Sequence, residues 1–374
     1  DARPAPDRAA HGLDGRAYSL ALASRRLLTA LGLWGTLAPD AQAIGKVVAT
    51  QGLPGEGADR FAMVFDSAEI EEGAVGHMVE DRHLYRALLD AMQGRVTHVP
   101  GTSVVGQDAV PGGIEVVLSD GRRMSARLLV GADGRQSGVA SRAGIKRAGW
   151  DYPQTALVAA VEHELPHNGE AHQFFMPTGP LAILPLTGNR SSIVWSEDSA
   201  RAAAIARLDD DDFLDLLRPR FGDFRGRIAL AGPRFSYPLA LGLAHDYVAP
   251  RVALAGDSAH GVHPIAGQGL NLGLRDVAAL AQVLVEAKRR GEDIGAADVL
   301  ARYQGWRRFD ATLMGLGMDG VNRLFSNANP VLRAARGLGM GAINSVGPLR
   351  RAFMRQAAGL SMDPMPRLLE ARPL

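Results

Sequence analysis

A glycine-rich segment, GDSAHGVHPIAGQGLNLGLRD, occupies residues 256–276, between a short apolar run and a stretch of helical periodicity. The run RVALA at 251–255 predicts a buried strand, so Gly256 and Asp257 fall at its carboxyl end. Ligands bind at the carboxyl ends of strands in open parallel sheets, where a carboxylate can accept hydrogen bonds from ligand hydroxyls. Asp257 is therefore predicted to bind a ligand that carries hydroxyl groups.

The second half of this segment predicts a binding site at the start of a helix. Pro264 sets a rigid turn, and Gly267, Gln268 and Gly269 then expose backbone N–H groups before the helical stretch at 277–291. The first N–H groups of a helix lack intrahelical partners and carry partial positive charge. This end of the helix should favour an anion or an electron-rich oxygen.

A similar strand end lies upstream, in LLVGADGRQSGVASRAGI at 128–145. A predicted strand ends at Gly131, and Asp133 and Gly134 follow it. Two roles are open for Asp133, because its carboxylate can bond the next backbone amides in an Asx turn or lie near a cofactor phosphate. Gly134 allows the chain to pass closely.

The polar residues give no evidence for catalysis by side chains or by a metal. His260 and His263 have the look of zinc ligands, but no third ligand is suggested nearby, and we expect both to be structural. No Ser–His–Asp arrangement or pair of carboxylates stands out, so no catalytic residue is assigned. The absence of cysteine excludes disulfides and thiolate nucleophiles.

Composition narrows the class of protein. The 374 residues are 47% apolar, with 41 basic against 40 acidic residues, which gives no argument for nucleic-acid binding. No apolar run reaches the roughly 18–20 residues that span a bilayer, and no signal peptide is visible. We therefore predict a cytoplasmic protein. Strand–helix alternation at both ends, around a strand-rich block, predicts an α/β nucleotide-binding domain with a mixed-sheet domain inserted into it.

Several segments together resemble a known family. GADGRQSGV and GDSAHGVHPIAGQGLNLGLRD resemble the two internal fingerprints of FAD-dependent aromatic hydroxylases with the p-hydroxybenzoate hydroxylase fold. The segments DGRAYSLALASRRLLTALGLW, EDRHLYRALLDAM, GPLAILPL, SSIVW and YQGWRRFD are similar to the ubiquinone-biosynthesis branch, of the 2-octaprenyl-6-methoxyphenol hydroxylase type. The resemblance extends over most of the chain.

The resemblance implies an α/β fold, with a Rossmann-like FAD-binding domain, an interleaved mixed-sheet substrate domain and C-terminal helices. The expected FAD-binding domain is discontinuous and N-terminally incomplete. The predicted boundaries are 1–45, 77–150 and 245–310 for the FAD-binding domain, 46–76 and 151–244 for the substrate domain, and 311–374 for the C-terminal helical region.

The resemblance also implies roles along the glycine-rich segment. Asp257, which follows Gly256, would bind the ribityl chain of FAD, and Pro264 would lie near the flavin ring. The amides of Gly269, Leu270 and Asn271 would face the pyrimidine end of the flavin, where negative charge develops on reduction. These three residues follow Gly267 and Gln268 directly.

Other implied roles concern the phosphates of the cofactors. Asp133 and Gly134 would lie by the pyrophosphate region of FAD and NADPH, and Arg16 and Arg82 would approach the FAD phosphates. The family usually has an arginine where this chain has Ala140, so the pairing near Asp133 differs here.

The family's third fingerprint, a GxGxxG in the first βαβ unit, is not found. GLGMGA at 337–342 fits GxGxxA, but the preceding VLRAAR predicts a helix, and we interpret it as a glycine-rich helix junction. DARP at the start resembles the segment after the family's second strand, so Asp1 would be the ribose carboxylate. We therefore expect the first βαβ unit to be missing from this chain.

The implied activity is monooxygenation. NAD(P)H reduces FAD, reduced flavin activates dioxygen, and an electron-rich ring of a prenylated phenol is hydroxylated. The alternatives are a different FAD-dependent aromatic monooxygenase, or a non-catalytic fragment or scaffold of a quinone-synthesis complex.

A membrane surface is a possible partner, because a prenylated phenol is too apolar to diffuse freely in water. Residues 320–362 contain no acidic residue, and apolar residues lie between their arginines. Such a stretch suits an anionic membrane surface, and it is equally typical of helices that cover the FAD domain. The arginines are Arg323, Arg333, Arg336, Arg350, Arg351 and Arg355.

We expect Asp257→Ala to abolish stable FAD binding, because the loss of two or three hydrogen bonds to a charged acceptor costs about 3–5 kcal/mol. Flavin absorbance of the purified variant measures this directly. Full flavin occupancy would show that the segment has been assigned the wrong role.

Overall fold

The computed structural model describes residues 15–53, 57–326 and 329–374. Asp1, predicted to bind a ribose, lies outside the described residues. The strands are β1 (Ala17–Ala21), β2 (Ala41–Ile44), β3 (Lys46–Leu53), β4 (Gly57–Asp66), β5 (Gly76–Glu80), β6 (Val104–Val110), β7 (Gly113–Leu118), β8 (Arg123–Ala126), β9 (Leu129–Gly131), β10 (Arg147–His163), β11 (Glu170–Met176), β12 (Gly179–Leu186), β13 (Arg190–Asp198), β14 (Ile228–Leu230), β15 (Phe235–Ala244), β16 (Val248–Ala249), β17 (Val252–Leu254) and β18 (His260–Gly261). The helices are α1 (Leu22–Ala30), α2 (Trp34–Leu37), α3 (Asp81–Met92), α4 (Gly138–Arg142), α5 (Ser199–Ile205), α6 (Asp210–Phe221), α7 (Gln268–Arg289), α8 (Ala297–Phe325), α9 (Pro330–Ser345) and α10 (Gly347–Ala357).

One large mixed sheet holds nine of these strands. Its order is β18-β15-β10-β13-β12-β11-β3-β4, and β14 pairs with the end of β10. The pairs are antiparallel except β11 with β3, which run parallel. The early strands β3 and β4 thus share a sheet with the strands of the middle of the chain. This is the mixed sheet that the strand-rich block predicts.

Helices α5 and α6 cover one face of the large sheet. Alternating apolar residues on β12 and β13 place Leu181, Ile193 and Trp195 in a fully buried core, where they meet Phe213 and Leu217 of α6.

The glycine-rich segment directly follows β17, a strand of a smaller, three-stranded sheet. β17 runs parallel to β9, with Leu254 opposite Gly131, and β16 pairs antiparallel with β17. The carboxyl ends of β9 and β17 therefore lie at one edge. Helices α7 and α8 pack on this sheet through a second core that includes Val252, Val283 and Leu300.

Two further sheets complete the fold. β1, β5 and β2 form one, and β6, β7 and β8 form a meander. The meander and the small parallel sheet contain the strands of the Rossmann-like part, and together with the large sheet they confirm the α/β class. No helix among the described residues is long and apolar enough to cross a membrane.

Three local predictions are revised by the structure. The alternating apolar residues of RVTHV at 95–99 predict a strand, but this stretch is irregular and Val96 is exposed. Helix α7 begins at Gln268, well before the predicted 277, because its first turns are buried against β1. GLGMGA, interpreted as a junction between helices, lies inside α9.

We expect Trp195→Ala to lower the free energy of unfolding by about 3–5 kcal/mol, since the indole is fully buried and its removal leaves a cavity. Urea denaturation measures the change. Leu165→Ala, at an exposed apolar position, is the matched control and should change stability by less than about 0.5 kcal/mol. Equal effects of the two substitutions would contradict the assigned core.

Candidate cofactor-binding site

Ser258 joins the two strand ends that the sequence singles out. Its hydroxyl donates to the carbonyl of Gly131 at 2.5 Å, and its oxygen lies 2.8 Å from the carbonyl of Ala255. Arg147 holds the same turn from the other side, with donors 2.7 Å from the Ser258 carbonyl and 3.0 Å from that of Asp257. The two predicted motifs therefore form one site.

Glycine is favoured at two positions here, for different reasons. Gly256 has a φ of +66°, in the left-handed region that favours glycine. Gly273 of α7 crosses close to this turn, and a Cβ on Gly273 would lie only 3.2 Å from the Gly256 Cα. The close crossing places the start of α7 beside Asp257.

A fully buried carboxylate, Asp276 of α7, holds this turn in place. One oxygen accepts the Gly256 N–H at 2.9 Å and lies 2.5 Å from His260 Nε2. The other accepts from Arg307 Nε at 2.8 Å. Burial alone would raise the pKa of Asp276, but His260 and Arg307 hold it below its ordinary value. The carboxylate stays charged, and His260 has the structural role that the sequence predicts.

Helix α8 supplies the rest of this buried network. Tyr303 donates its hydroxyl to the Leu254 carbonyl at 2.6 Å, at the end of β17. Arg307 also donates to Asp310 at 2.6 Å, and Arg275 lies 3.5 Å from the same carboxylate. Burial lowers the pKa of Arg307, but Asp276 and Asp310 more than offset it and raise the pKa above its ordinary value.

Among the described residues, no side-chain hydrogen bond caps the start of α7 at Gly267. The first N–H groups of a helix lack intrahelical partners, so the amides of Gly269 and Leu270 stay candidates for the contact that the sequence predicts. Gly267, at φ +62°, turns the chain into the helix after Pro264. A Cβ on Gly269 would meet only Val262, 4.0 Å away, so there is room beside this turn.

The side chain of Asn271 has a structural role. Its Oδ1 accepts from Ala21 N at 2.8 Å and Ser24 Oγ at 2.7 Å. Its Nδ2 donates to the carbonyls of Ser19 at 2.8 Å and Gly267 at 2.9 Å. All four hydrogen-bonding positions of the amide are used, which fixes β1 and α1 against α7. Gln268, also buried, donates to the Ala357 carbonyl at 3.3 Å.

The two predicted aspartates differ in their surroundings. Asp257 is exposed at the end of β17, where Arg135 Nε lies 3.2 Å from its carboxylate. Asp133 instead accepts from the Ser137 hydroxyl at 2.5 Å and the Val139 N–H at 3.0 Å. These bonds tie Asp133 to the start of α4, four and six residues along the chain, and not to the amide two residues on that an Asx turn uses. Gly134, at φ +84°, has open space around it.

Arg16 directly precedes β1, and Arg82 lies in the first turn of α3, which follows β5. Arg82 Nε is 2.7 Å from the buried Glu80 carboxylate, and Arg16 lies 3.6 Å from Asp81. Tyr18 also donates to Asp81 at 2.9 Å. Each of the two arginines thus lies beside a carboxylate that offsets part of its charge.

A second polar group is formed by His263, in the glycine-rich segment, and Tyr152, on β10 of the large sheet. His263 is fully buried and, among the described residues, neither ring nitrogen has a hydrogen-bond partner. The Tyr152 ring meets it edge-on, 5.1 Å between centroids, and the Tyr152 hydroxyl donates to Asp319 of α8 at 2.8 Å. Burial lowers the pKa of His263 to about 4, so the ring is neutral. No metal-binding group of His, Asp or Glu occurs in the described ranges.

The residues fit FAD. An exposed carboxylate at a strand end suits ribityl hydroxyls, and uncapped amides above open space suit the electron-rich pyrimidine edge of a flavin. The neutral His263 beside Pro264 leaves a donor and an acceptor near the expected ring position.

Comparison with known proteins supports this fit. The chain matches the FAD binding domain family model (FAD_binding_3) over residues 8–311. It is 45% identical over 334 residues to the ubiquinone hydroxylase UbiL of Rhodospirillum rubrum, covering 87% of this chain and 76% of that protein. It is 37% identical over 340 residues to the 3-demethoxyubiquinol 3-hydroxylase of Escherichia coli, covering 90% and 85%.

The chain belongs to the FAD-dependent hydroxylases of ubiquinone biosynthesis. This confirms the resemblance found in the sequence. The p-nitrophenol 4-monooxygenase PnpA of Pseudomonas putida shares the fold, with a TM-score of 0.77 and 17% identity over 93% of this chain and 89% of that one. Klebsiella pneumoniae HpxO, solved with FAD and uric acid, shares it with a TM-score of 0.72 and 18% identity over 96% and 88%. FAD is the cofactor of this hydroxylase, and NAD(P)H is the reductant typical of its family.

Sequence reasoning missed the residues that hold the site together. Asp276 ends the glycine-rich segment, and Tyr303, Arg307 and Asp310 lie in YQGWRRFD, but none received a role. The sequence signal that could have identified them is the presence of polar and charged residues on the core-facing side of predicted helices. Only their partners, which are distant in sequence, give these positions a role.

We expect Asp276→Asn to lower the free energy of unfolding by about 3–5 kcal/mol, because it leaves Arg307 without its fully buried anion. FAD affinity should fall with it, since the turn before Asp257 loses its anchor. Asp310→Asn, at a partly exposed carboxylate, is the control and should cost less. Unchanged stability and flavin affinity in Asp276→Asn would rule out the anchoring role.

Stability should fall as the pH drops from about 6.5 toward 4. The folded state protonates His263 only near pH 4, whereas the unfolded chain does so near 6.5, so acid favours unfolding in that window. Urea midpoints at pH 7.5, 6 and 5 measure the slope. His263→Asn should reduce it without removing it, because burial also lowers the pKa of His77 and His172 to about 4. An unaltered slope would contradict this account.

Proposed function

We propose that this hydroxylase inserts one atom of dioxygen into the aromatic ring of a prenylated phenol that is a precursor of ubiquinone. NAD(P)H, a proton, dioxygen and a ring C–H become NAD(P)⁺, water and a ring C–OH. The observation that supports this most strongly is the identity, over most of the chain, with two relatives named for hydroxylation in that pathway.

The site residues hold and orient the cofactor in this proposal. Bound FAD supplies the redox and oxygen chemistry. Asp257 binds its ribityl hydroxyls, and the amides of Gly269, Leu270 and Asn271 favour negative charge at the pyrimidine end. Arg16, just before β1, and Arg82, at the start of α3, would approach the FAD phosphates, and Asp81 and Glu80 offset part of their charge.

His263 is the residue that we assign to the phenol hydroxyl. A neutral imidazole offers one donor and one acceptor, which matches a hydroxyl group. Its buried nitrogens have no partner among the described residues, an arrangement that costs free energy unless a ligand or water supplies one. The Tyr152–Asp319 hydrogen bond holds the Tyr152 ring edge-on to His263.

The apolar prenyl chain of the proposed substrate also suggests that the enzyme works near lipid. We infer a cytoplasmic protein that meets its prenylated phenol at a membrane surface or in a complex that handles such lipids. Of the C-terminal arginines, Arg350 lies 2.6 Å from Glu69 and Arg355 pairs with Glu72, so part of the charge counted from the sequence is offset in the fold.

The test is a complete reaction with the FAD-loaded protein, NAD(P)H, ¹⁸O₂ and a short-tailed, water-soluble demethoxyubiquinol analogue. We expect a product heavier by one ¹⁸O atom, formed in proportion to the NAD(P)H oxidised. Hydroxylation of simple phenols but not of this analogue would favour another aromatic monooxygenase. A protein that binds no flavin would favour the scaffold interpretation.

His263→Leu should lower kcat/KM for the phenol by about 10- to 100-fold, as expected for a lost buried hydrogen bond. The flavin affinity and spectrum should stay unchanged, and His263→Asn should restore part of the activity because it keeps a donor and an acceptor. Wild-type kcat/KM in the leucine variant would show that His263 only fills space.

A further inference from the structure

Three strands of the large sheet contact the segment that carries Arg16. Gly15, which directly precedes Arg16, packs so closely on β10 that a Cβ at this position would lie 3.0 Å from the backbone nitrogen of Ala160. Ser192 of β13 donates its hydroxyl to the Gly15 carbonyl at 3.4 Å. The Arg16 guanidinium carbon lies 5.3 Å from the centre of the Phe235 ring on β15, within the range of a cation–π contact.

A buried carboxylate connects the large sheet to Arg82 as well. Glu80 ends β5 and is only 3% exposed. Its Oε2 lies 2.7 Å from Arg82 Nε, and its Oε1 lies 3.5 Å from Nη2 of Arg190, the first residue of β13. Two guanidinium groups, one from α3 and one from the large sheet, therefore share a single carboxylate, and each takes a different oxygen.

The Arg190 guanidinium is held in place by the turn that precedes β13. Its Nε donates to the Thr187 carbonyl at 3.0 Å, and its Nη2 donates to the Thr187 hydroxyl, also at 3.0 Å. A guanidinium fixed through two donors has already lost much of its conformational freedom, so it can hold a nearby charge at little further cost.

The shared carboxylate leaves an excess of positive charge. Arg82 and Arg190 carry two positive charges against the single negative charge of Glu80. His83 Nε2 lies 3.7 Å from Glu80, and His83 Nδ1 lies 3.1 Å from Asp40, whose side chain is about half exposed. Water screens the exposed Asp40 more strongly than the buried Glu80. The local charge therefore suits an anion, and the arginine fork matches the geometry of a phosphate.

We propose that Arg190 is a further positioning residue for FAD. By taking one oxygen of Glu80, it limits how far this carboxylate neutralises Arg82, and so it leaves the Arg82 guanidinium available to a phosphate. The inference rests on the proposed function, which assigns the FAD phosphates to Arg16 and Arg82. It goes further because it gives the large sheet a part in holding the cofactor.

The test is the salt dependence of FAD affinity, measured by titrating FAD back into the deflavinated protein and following flavin fluorescence. Arg190→Gln should raise the dissociation constant by about five- to tenfold at about 0.05 M salt and by less than about threefold at about 0.5 M, because salt screens charge. Arg190→Lys keeps the charge and should recover most of the affinity. An equal loss at both salt concentrations would mean a packing role and would overturn the proposal.

Arg234→Gln is the matched control. Arg234 also precedes a strand of the large sheet and is similarly buried, it lies 3.2 Å from Asp210, and it donates to the Leu208 carbonyl at 2.6 Å. Its guanidinium packs on Phe213 of α6, so the substitution removes a comparable ion pair on the α6 side of the sheet. FAD affinity should stay unchanged at both salt concentrations. A loss equal to that of Arg190→Gln would count against a specific role of Arg190.

Arg82→Gln separates this inference from the proposed function. Because Arg190 acts through Arg82, the double variant should lose no more affinity than Arg82→Gln alone, and additive losses would overturn the proposed coupling. A salt-dependent loss in Arg82→Gln but not in Arg190→Gln would remove the role of Arg190 and leave Arg82 at the phosphates. No such loss in either variant would contradict both assignments. A wild-type protein that binds FAD but hydroxylates no phenol would contradict the proposed reaction alone.

Discussion

The buried carboxylate of Asp276 is the interaction on which the site depends. A charge removed from water is tolerated only when hydrogen bonds and opposite charges surround it, and here Gly256, His260 and Arg307 do so. Those partners come from the turn, the segment that follows it and helix α8. The carboxylate therefore sets the position of Asp257 and of the start of α7 relative to each other.

Helix α8 links the parts of the molecule that a hydroxylase must coordinate. Tyr303 and Arg307, near its start, hold the end of β17 and Asp276. Asp319, four turns later, holds Tyr152 of the large sheet. A long rigid helix can thus keep the turn after β17 and the Tyr152–His263 pair in a fixed relation.

The predicted binding residues divide according to how fully their hydrogen bonds are used within the fold. The side chains of Asn271 and Asp133 already make hydrogen bonds to other segments of the chain. Any contact of these residues with the cofactor must therefore come from the backbone. Asp257 and the uncapped amides of α7 keep capacity for a ligand. Pre-formed polar groups of this kind need little rearrangement when a cofactor binds.

The sequence by itself determined the family, most of the helices and strands, and the turns that glycine must occupy, such as Gly256 and Gly267. These features are local: periodicity follows from the pitch of a helix or strand, and a positive φ from the lack of a side chain. The same rules predict a strand at 95–99, where the chain is irregular because these residues pair with no neighbouring strand.

Tertiary structure alone decided which polar groups meet. Arg307 reaches Asp276 across 31 positions and Tyr152 reaches Asp319 across 167, through the packing of α8 on α7 and on the large sheet. The two nitrogens of His263 without a partner among the described residues are likewise a result of packing. Partner choice depends on the angle and register at which elements meet, and neither is encoded in the residues on one side of the contact alone.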